Sequence, residues 1–512
     1  MNHRYVLRQL AVLLGALSAG LLALGAWSAL LAFAFGEEDE RSAAAAFAIT
    51  AGVGLVASGA AWLATRSAPS DLERREALLL VTLTWVLGAL LGAGPYFLWA
   101  HLTTQGSAAA LSFRSPVNCF FESMSGFTTA GSSILTEIGS LPQSLLLWRA
   151  TTQWIGGLGI VVLFVAVLPS IGAASKRLFA AESVGVSRPG VRPEVRETAR
   201  VLWIIYSGLT IAAILAMRLA GMNWFDAICH AFTTLATGGY STRDHSVGGF
   251  APAVQWIVIL FMIAGGINFG LYYQLWRKRW REVLGDTELR VYLIAIATLA
   301  ALATAFLIGR DIITTPGDTV QPGLLGTFRY ALFGVCTVQT TTGYATANYD
   351  LWPSLLRSAL VLLLFVGGCS GSTAGGIKVI RIWIAVRTVA AGVERAFRPN
   401  VIRPMRIGNT LINDNLRVEV LTYVLAVIAF WIIGTGLLLA IEAGQNLDAT
   451  TAGTATIAVF STVGPGMGRV GPVQNYAWMT DASKILLSLW MLLGRLEIFP
   501  VVALLTIRFW RE

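Results

Sequence analysis

The sequence predicts an all-α polytopic membrane protein in which four similar units surround one axis. Three observations lead there. The first is composition. Hydrophobic residues make up 55% of the 512-residue chain and charged residues only 13%, against about 25% charged in a soluble globular domain. The mean hydropathy is +0.68. The second is segment length. Apolar runs long enough to cross a bilayer lie near 9–35, 44–65, 77–100, 143–171, 198–220, 253–275, 289–309, 355–386, 418–441 and 483–508, which gives about ten transmembrane helices. The third is repetition. A short Thr/Gly phrase recurs as Thr128-Thr129-Ala130-Gly131, Leu235-Ala236-Thr237-Gly238, Thr340-Thr341-Thr342-Gly343 and Ser461-Thr462-Val463-Gly464.

The first two spans, residues 1–70, stand outside the repeat. Leu10 to Phe35 is too long for the apolar core of a cleaved signal, and no small-residue cleavage site ends it. The repeats then divide the chain into 71–175, 176–284, 285–390 and 416–512, with a basic linker over 391–415. Each unit reads as span, short amphipathic run, Thr/Gly loop, span. The short runs lie near 115–128, 224–236, 326–340 and 449–461. A helix needs ~20 residues to cross, so these should enter the membrane partway and return. A second feature keeps step with the loops: Gly156-Gly157, Gly265-Gly266, Gly367-Gly368 and Gly494 each follow one of them.

Positive charge sets the orientation. Most of the 37 Lys and Arg residues fall in connections on one side: Arg4 and Arg8, Arg66 to Arg75, Lys176 to Arg200, Arg277 to Arg290, Lys378 to Arg417, and Arg508 with Arg511. The opposite connections are poor in Lys and Arg and include Glu37-Glu38-Asp39-Glu40. The basic side is cytoplasmic by the positive-inside rule. Both termini therefore face the cytoplasm, and the short runs open on the outer side. Each unit contributes two spans, so all four share one orientation and can circle an axis normal to the membrane. The net charge of +9 belongs to this topology and does not indicate nucleic-acid binding.

Several function classes are disfavoured. Cys119, Cys229, Cys336 and Cys369 form no CxxC pair and read as small packing residues. His3, His101, His230 and His245 have no ligand spacing, and no cluster of His, Cys or paired acids suggests an enzyme or a cofactor. No GxGxxG follows a strand and no P-loop occurs, so nucleotide control would have to come from another chain. A rocking secondary transporter normally shows inverted repeats and paired broken helices. Here the repeats are parallel, and one helix carries a clear break.

The loops carry the chemistry. Converging backbone carbonyls replace the water around a dehydrated cation. Gly permits the positive-φ conformations that turn carbonyls inward. The C-terminal end of each short helix points partial negative charge at the centre. The candidate cation ligands are Thr128, Thr129, Ala130 and Gly131; Ala236, Thr237 and Gly238; Thr341, Thr342 and Gly343; and Thr462, Val463 and Gly464. A single such loop could be only a turn. Four in phase point to one central cation pore, with the ion held by carbonyls.

The broken span near 355–386 contains Gly367-Gly368-Cys369-Ser370-Gly371-Ser372-Thr373-Ala374-Gly375-Gly376, and half of these residues are Gly. Each Gly costs a helix ~1 kcal/mol relative to Ala. Irregular backbone at membrane depth is tolerated where protein packs it or a cavity borders it. The segment reads as a gate loop beneath the ring, with a closely packed small-residue helix as the alternative. Arg495 lies inside an apolar helix, and a buried membrane charge faces a cavity or a partner. It either tunes cation passage and holds the gate loop, or pairs with Glu497 or another acid. Lys378 either marks the cytoplasmic end of its span or joins the gate. Glu122 and Asp226, in the first two short runs, either brace the loops or contact the ion. The linker basic residues fit anionic lipid heads or a regulatory partner.

At this point the chain resembles a known family. Ser125-Gly126-Phe127-Thr128-Thr129, Thr237-Gly238-Gly239-Tyr240-Ser241-Thr242 and Val463-Gly464-Pro465-Gly466-Met467-Gly468 are similar to the pore loops of the Trk/Ktr/HKT potassium transporters, in the TrkH/TrkG branch. Ala181-Glu182, Glu197-Thr198-Ala199 before Leu202-Trp203, and Leu493-Gly494-Arg495-Leu496-Glu497-Ile498-Phe499 agree. So do the two extra leading spans. The resemblance implies K⁺ uptake across the bacterial inner membrane, a homodimer, and a cytoplasmic TrkA-like nucleotide-binding ring that controls opening. It also implies an intramembrane gating loop in the third repeat and a pore-facing Arg495. Members with Ser at the first loop glycine tend toward Na⁺, and Gly131 stands there in this chain. Transport of Na⁺ or mixed cations by the same architecture, and ion-coupled secondary transport, are the remaining alternatives.

Overall fold

The computed structural model describes residues 1–36, 38–68, 73–104, 106–166, 193–400, 405–407 and 410–511. Lys176, Arg177, Arg188, Arg192, Arg403 and the Ala181-Glu182 phrase lie outside these, as do the boundaries expected at 70/71 and 175/176.

Two long helices lead, α1 (His3–Phe35) and α2 (Glu38–Thr65). Asn2 caps α1 by accepting from the Tyr5 N–H at 3.1 Å, and Gly36 ends it at φ +72°. Glu38, Asp39 and Glu40 open α2, where the partial positive end of a helix favours acids. Glu40 is buried. It accepts from Ser28 Oγ at 2.6 Å and from the Ser144 N–H at 3.1 Å, tying this pair to the first repeat.

The first repeat consists of α3 (Arg74–Leu102), a short α4 (Ala108–Phe113), the re-entrant α5 (Pro116–Phe127) and α6 (Gln143–Ala166). The second has α7 (Pro193–Leu219), re-entrant α8 (Trp224–Leu235), α9 (Pro252–Gly265) and α10 (Phe269–Trp276). After α11 (Trp280–Gly285) the third runs through α12 (Thr287–Leu307), re-entrant α13 (Leu324–Gln339), α14 (Ser354–Leu363) and α15 (Val379–Phe397). The fourth is α16 (Asp414–Ile441), re-entrant α17 (Ala449–Phe460), α18 (Asp481–Arg495) and α19 (Phe499–Leu505), before a final turn of helix, α20 (Ile507–Arg511). Two small antiparallel hairpins, Ile312–Ile313 with Thr319–Val320 and Arg406–Ile407 with Thr410–Leu411, decorate connections where no strand was expected.

Three re-entrant helices start with a side-chain cap. Ser115, Asn223 and Asp448 accept from the N–H three residues on, which serves donors the first turn cannot bond internally.

Six of the expected spans are single helices long and apolar enough to cross a membrane. Two are not. The 253–275 segment bends by 94° between α9 and α10, and the 483–508 segment by 120° between α18 and α19. At the second bend Glu497 and Ile498 stand at φ +56° and +66°, and Pro500 lies in the first turn of α19. At the first, Gly266 caps α9 and Asn268 caps α10. The expectation of one broken helix is thus too low. The 355–386 segment is broken as expected, with non-helical backbone over 364–378 between α14 and α15.

Candidate functional site

Every re-entrant helix ends the same way. After α5 the Thr129 N–H bonds the Gly126 carbonyl at 3.0 Å and the Ala130 N–H reaches back to Ser125 at 2.9 Å. The pattern repeats at Thr237 and Gly238, at Thr341 and Thr342, and at Thr462 and Val463. This is the helix stop in which one left-handed residue lets two N–H groups satisfy the last carbonyls. Gly usually supplies that residue. Here it is Thr four times, at φ +58°, +52°, +55° and +58°. A β-branched residue there is strained by about 1–3 kcal/mol and persists only where its surroundings hold it.

Two residues on, Gly131, Gly239, Gly343 and Gly464 also have positive φ. The second loop is therefore read as Ala236-Thr237-Gly238-Gly239. Gly239, not Gly238, matches Gly131, and the sequence-based register of that loop was one residue off. Two adjacent glycines made the choice invisible in sequence.

The loops close into a ring. A methyl group built on Gly131 would collide with the Gly238 carbonyl oxygen. One on Gly239 would collide with the Thr342 carbonyl, and one on Gly343 with that of Val463. One on Gly464 would lie 2.7 Å from the Ala130 carbonyl, which returns to the first repeat. Each fourth-position glycine thus faces the third-position carbonyl of the next repeat, around all four. Among the described residues, nothing donates to the carbonyls of Thr129, Ala130, Gly131, Thr341, Thr342, Gly343, Thr462 or Val463. Buried carbonyls are ordinarily paired, so unserved ones converging on an axis suit a cation that supplies the missing partner. Thr128, the residue before the strained Thr129, donates its hydroxyl to Met124 O at 2.6 Å and so faces its own helix.

The second spans support the ring through their glycines. Methyl groups on Gly156 and Gly494 would collide with the carbonyls of Phe127 and Phe460, and one on Gly265 would lie 3.2 Å from that of Leu235. These carbonyls end α5, α17 and α8. In the third repeat Gly367 instead accepts from Gln339 Nε2 at 3.1 Å.

Glu122 and Asp226 are braces. Glu122 is fully buried, pairs with Arg149 at 2.8 Å, and accepts from Ser133 Oγ and the Ile134 N–H at 3.0 Å, just past the first loop. Asp226 pairs with Arg243 at 2.7 Å and takes the Thr242 hydroxyl at 2.5 Å, past the second. His230 adds a 3.0 Å bond to Ser241 Oγ. In the fourth repeat Thr454 Oγ1 accepts from the Met467 N–H at 2.9 Å.

The 364–378 loop lies against the ends of the re-entrant helices. Thr373 donates its hydroxyl to Leu235 O at 2.8 Å and Gly265 O at 3.0 Å. The Gly375 N–H donates to Thr341 Oγ1 at 2.8 Å, and Gly375 is so close to Ser461 O and Thr462 Oγ1 that a methyl could not fit. The Cys369 N–H bonds Gly266 O at 2.8 Å, and Ser372 Oγ bonds Cys369 O at 2.6 Å. Gly371 and Gly376 adopt φ +70° and +64°. Gly368 accepts from the Val379 N–H at 3.2 Å. Arg495, only 2% exposed, donates to Thr373 O at 3.0 Å and Gly156 O at 2.8 Å. The loop therefore touches the second, third and fourth repeats directly and the first through Arg495. Glu497 pairs with Arg381 at 2.7 Å, which leaves the loop as the site of Arg495. Lys378 is buried and its ammonium donates to the Ala374 carbonyl, so it belongs to the loop and not to a cytoplasmic rim.

The family model for TrkH, described as cation transport protein, matches residues 45–509. The chain belongs to the TrkH family. The Trk system potassium uptake protein TrkH of Halomonas elongata is 35% identical over 100% of both chains. That of Salmonella typhimurium is 35% identical over 91% of this chain and 92% of its own. The crystal structure of the potassium transporter TrkH from Vibrio parahaemolyticus superposes with a TM-score of 0.84 at 30% identity, covering 100% of each chain. This TrkH-family chain is thus a multi-pass membrane transport protein and not an enzyme.

Two residues escaped the sequence reading. Glu288, at the start of α12, accepts from the Ser370 N–H at 2.8 Å and the Ile380 N–H at 3.1 Å, holding both the loop and the first turn of α15. Gln153, on α6, reaches the ring in the second repeat. Both act on backbone far along the chain, and no local pattern announces such partners.

Proposed function

We propose that this chain takes up potassium across the bacterial inner membrane through a single gated, cation-selective pore. The observation that carries the reading is the closed ring of third- and fourth-position backbone, most of whose carbonyls have no protein donor. In this reading the carbonyls of Thr128, Thr129, Ala130, Gly131, Ala236, Thr237, Gly238, Thr341, Thr342, Gly343, Thr462, Val463 and Gly464, with Gly239 added, line the filter and replace the hydration shell of K⁺. The printed names of the relatives, potassium uptake proteins, support potassium as the cargo.

Residues 367–376 are the gate. Backbone packed against the ends of the short helices leaves a permeating ion no straight way on, and Arg495 keeps it there. Opening requires moving the loop away from Leu235, Thr341 and Gly156. A cytoplasmic nucleotide-binding ring of the TrkA type acts on the basic segment after α15, and a second copy of the chain completes a homodimer, with lipid around both. The unequal third positions, Ala130, Gly238, Thr342 and Val463, favour one second reading, in which Na⁺ or mixed cations use the same path.

Proteoliposomes holding the purified chain and loaded with KCl test this by uptake of radioactive rubidium. Uptake suppressed by external K⁺ far more than by Na⁺, with the preference relaxed in Gly131→Ser, is the expected result. Equal suppression by both ions and indifference to Gly131→Ser would sink the K⁺ filter. Where the intact chain gives no flux, deletion of 369–374 separates a shut gate from a missing pore.

A further inference from the structure

The ring is not fourfold in its hydrogen bonds. At the third position of each loop, Ala130, Thr342 and Val463 have carbonyls that no described residue donates to. The fourth member, the Gly238 carbonyl, accepts from Gln153 Nε2 at 2.7 Å. The same amide accepts the Tyr240 N–H on its Oε1 at 3.1 Å. One fully buried side chain from the first repeat thereby brackets residues 238–240 of the second. Tyr240 is itself fixed, since its hydroxyl donates to Glu122 O at 2.8 Å and its ring lies 4.1 Å from the Arg149 guanidinium.

The bracket accounts for a difference in sequence. The second loop alone has Gly at its third position. A methyl group built there would collide with the Gln153 amide. Gly238 is therefore the residue that makes room for Gln153. Among the described residues the bracket also occurs once. Gln153 precedes the supporting Gly156 by one helical turn, and the residues one turn before Gly265 and Gly494 are the buried apolar Met262 and Met491.

We infer that Gln153 is a specificity-determining residue: its amide holds the Gly238 carbonyl at a fixed place in the ring and so opposes contraction around an ion smaller than K⁺. This rests on the potassium reading given above. Carbonyls of a flexible ring can tilt inward to meet Na⁺. Tilting at Gly238 stretches a short hydrogen bond in a buried, water-poor site, where a carbonyl and an amide left unpaired are costly. The penalty falls on Na⁺ and not on K⁺, because K⁺ fits the resting ring.

Two substitutions break the bracket from opposite sides. Gln153→Met installs the side chain found at the matching places in the second and fourth repeats. Gly238→Ala leaves Gln153 intact and displaces its amide. The readout is the ratio of external Na⁺ to K⁺ concentrations that half-suppress rubidium uptake, which does not depend on how much protein is active. Both variants should lower that ratio by roughly five- to tenfold, the scale of one neutral hydrogen bond. If Gln153→Met does not assemble, Gly238→Ala carries the test. Variants that keep the ratio of a selective wild type overturn the role of Gln153 alone. A wild type that does not discriminate overturns the potassium reading, and the inference with it.

Discussion

The Thr/Gly ring and the 364–378 loop are both irregular backbone buried inside a helical protein, yet they satisfy their polar groups in opposite ways. The ring spends its N–H groups on the helices it terminates and leaves most of its carbonyls unserved. The loop gives donors and acceptors alike to distant groups: Thr341 and Glu288 of its own repeat, and Arg495 and the carbonyls of Leu235 and Gly265 from two others. In the proposed reading, a filter that awaits its ion and a gate that awaits release differ in this respect. The first must not move, and its fixity comes from four copies of a strained helix stop. The second is held by a few separate bonds, each breakable without unfolding its neighbours.

That contrast can be broken at either end. The largest effect should come from the brace of the ring. Glu122→Ala leaves Arg149 buried without its carboxylate, and thermal unfolding in detergent should show a loss of about 3–5 kcal/mol. Replacing both partners with Met should recover much of it. A single substitution that leaves the unfolding curve in place would mean the pair does not support the ring.

Next is the ring itself. Gly343→Ala drives a methyl into the Val463 carbonyl at a residue with φ +83°. A penalty of about 3 kcal/mol should cut rubidium uptake roughly a hundredfold, with the protein still eluting as folded material. The loop should respond in the other direction. Arg495→Ala removes two charged hydrogen bonds and should raise regulator-independent uptake by roughly a hundredfold. A fall in flux would show that Arg495 serves the open path. The smallest effect is expected at Thr373→Val, which deletes the hydroxyl under α8. A rise of about fivefold, the worth of one neutral hydrogen bond, is expected in the same assay.

Much of this was legible in the sequence because it depends on local pattern. The apolar runs, the short segments between them and the phased Thr/Gly phrases required only periodicity and length. The break at 367–376 followed from its glycines. The rest depends on where distant segments meet. Glycines 238 and 239 are equivalent on paper, and only the left-handed φ of Gly239 and its place beside Thr342 fix the register. The bend after Gly265 falls in a run that stays apolar, and the one after Arg495 in a run apolar but for Arg495 and Glu497, so composition continued each as one span. Arg495 had an acid two residues away in sequence, but the turn at Glu497 carries that carboxylate to Arg381 and leaves the guanidinium facing Thr373. Glu288 looks like an ordinary acid in the first turn of a helix until Ser370 is brought against it.

One consequence follows from the ring being built by a single polypeptide. An assembly of identical subunits can alter such a ring only in multiples: a mutation that touches one quadrant touches all. Here a codon change alters one quadrant and leaves three as they were. A fine adjustment such as the amide behind Gly238 is thus open to this chain, and selection can retune one side of the ring in small increments where a symmetric assembly would have to accept the change four times over.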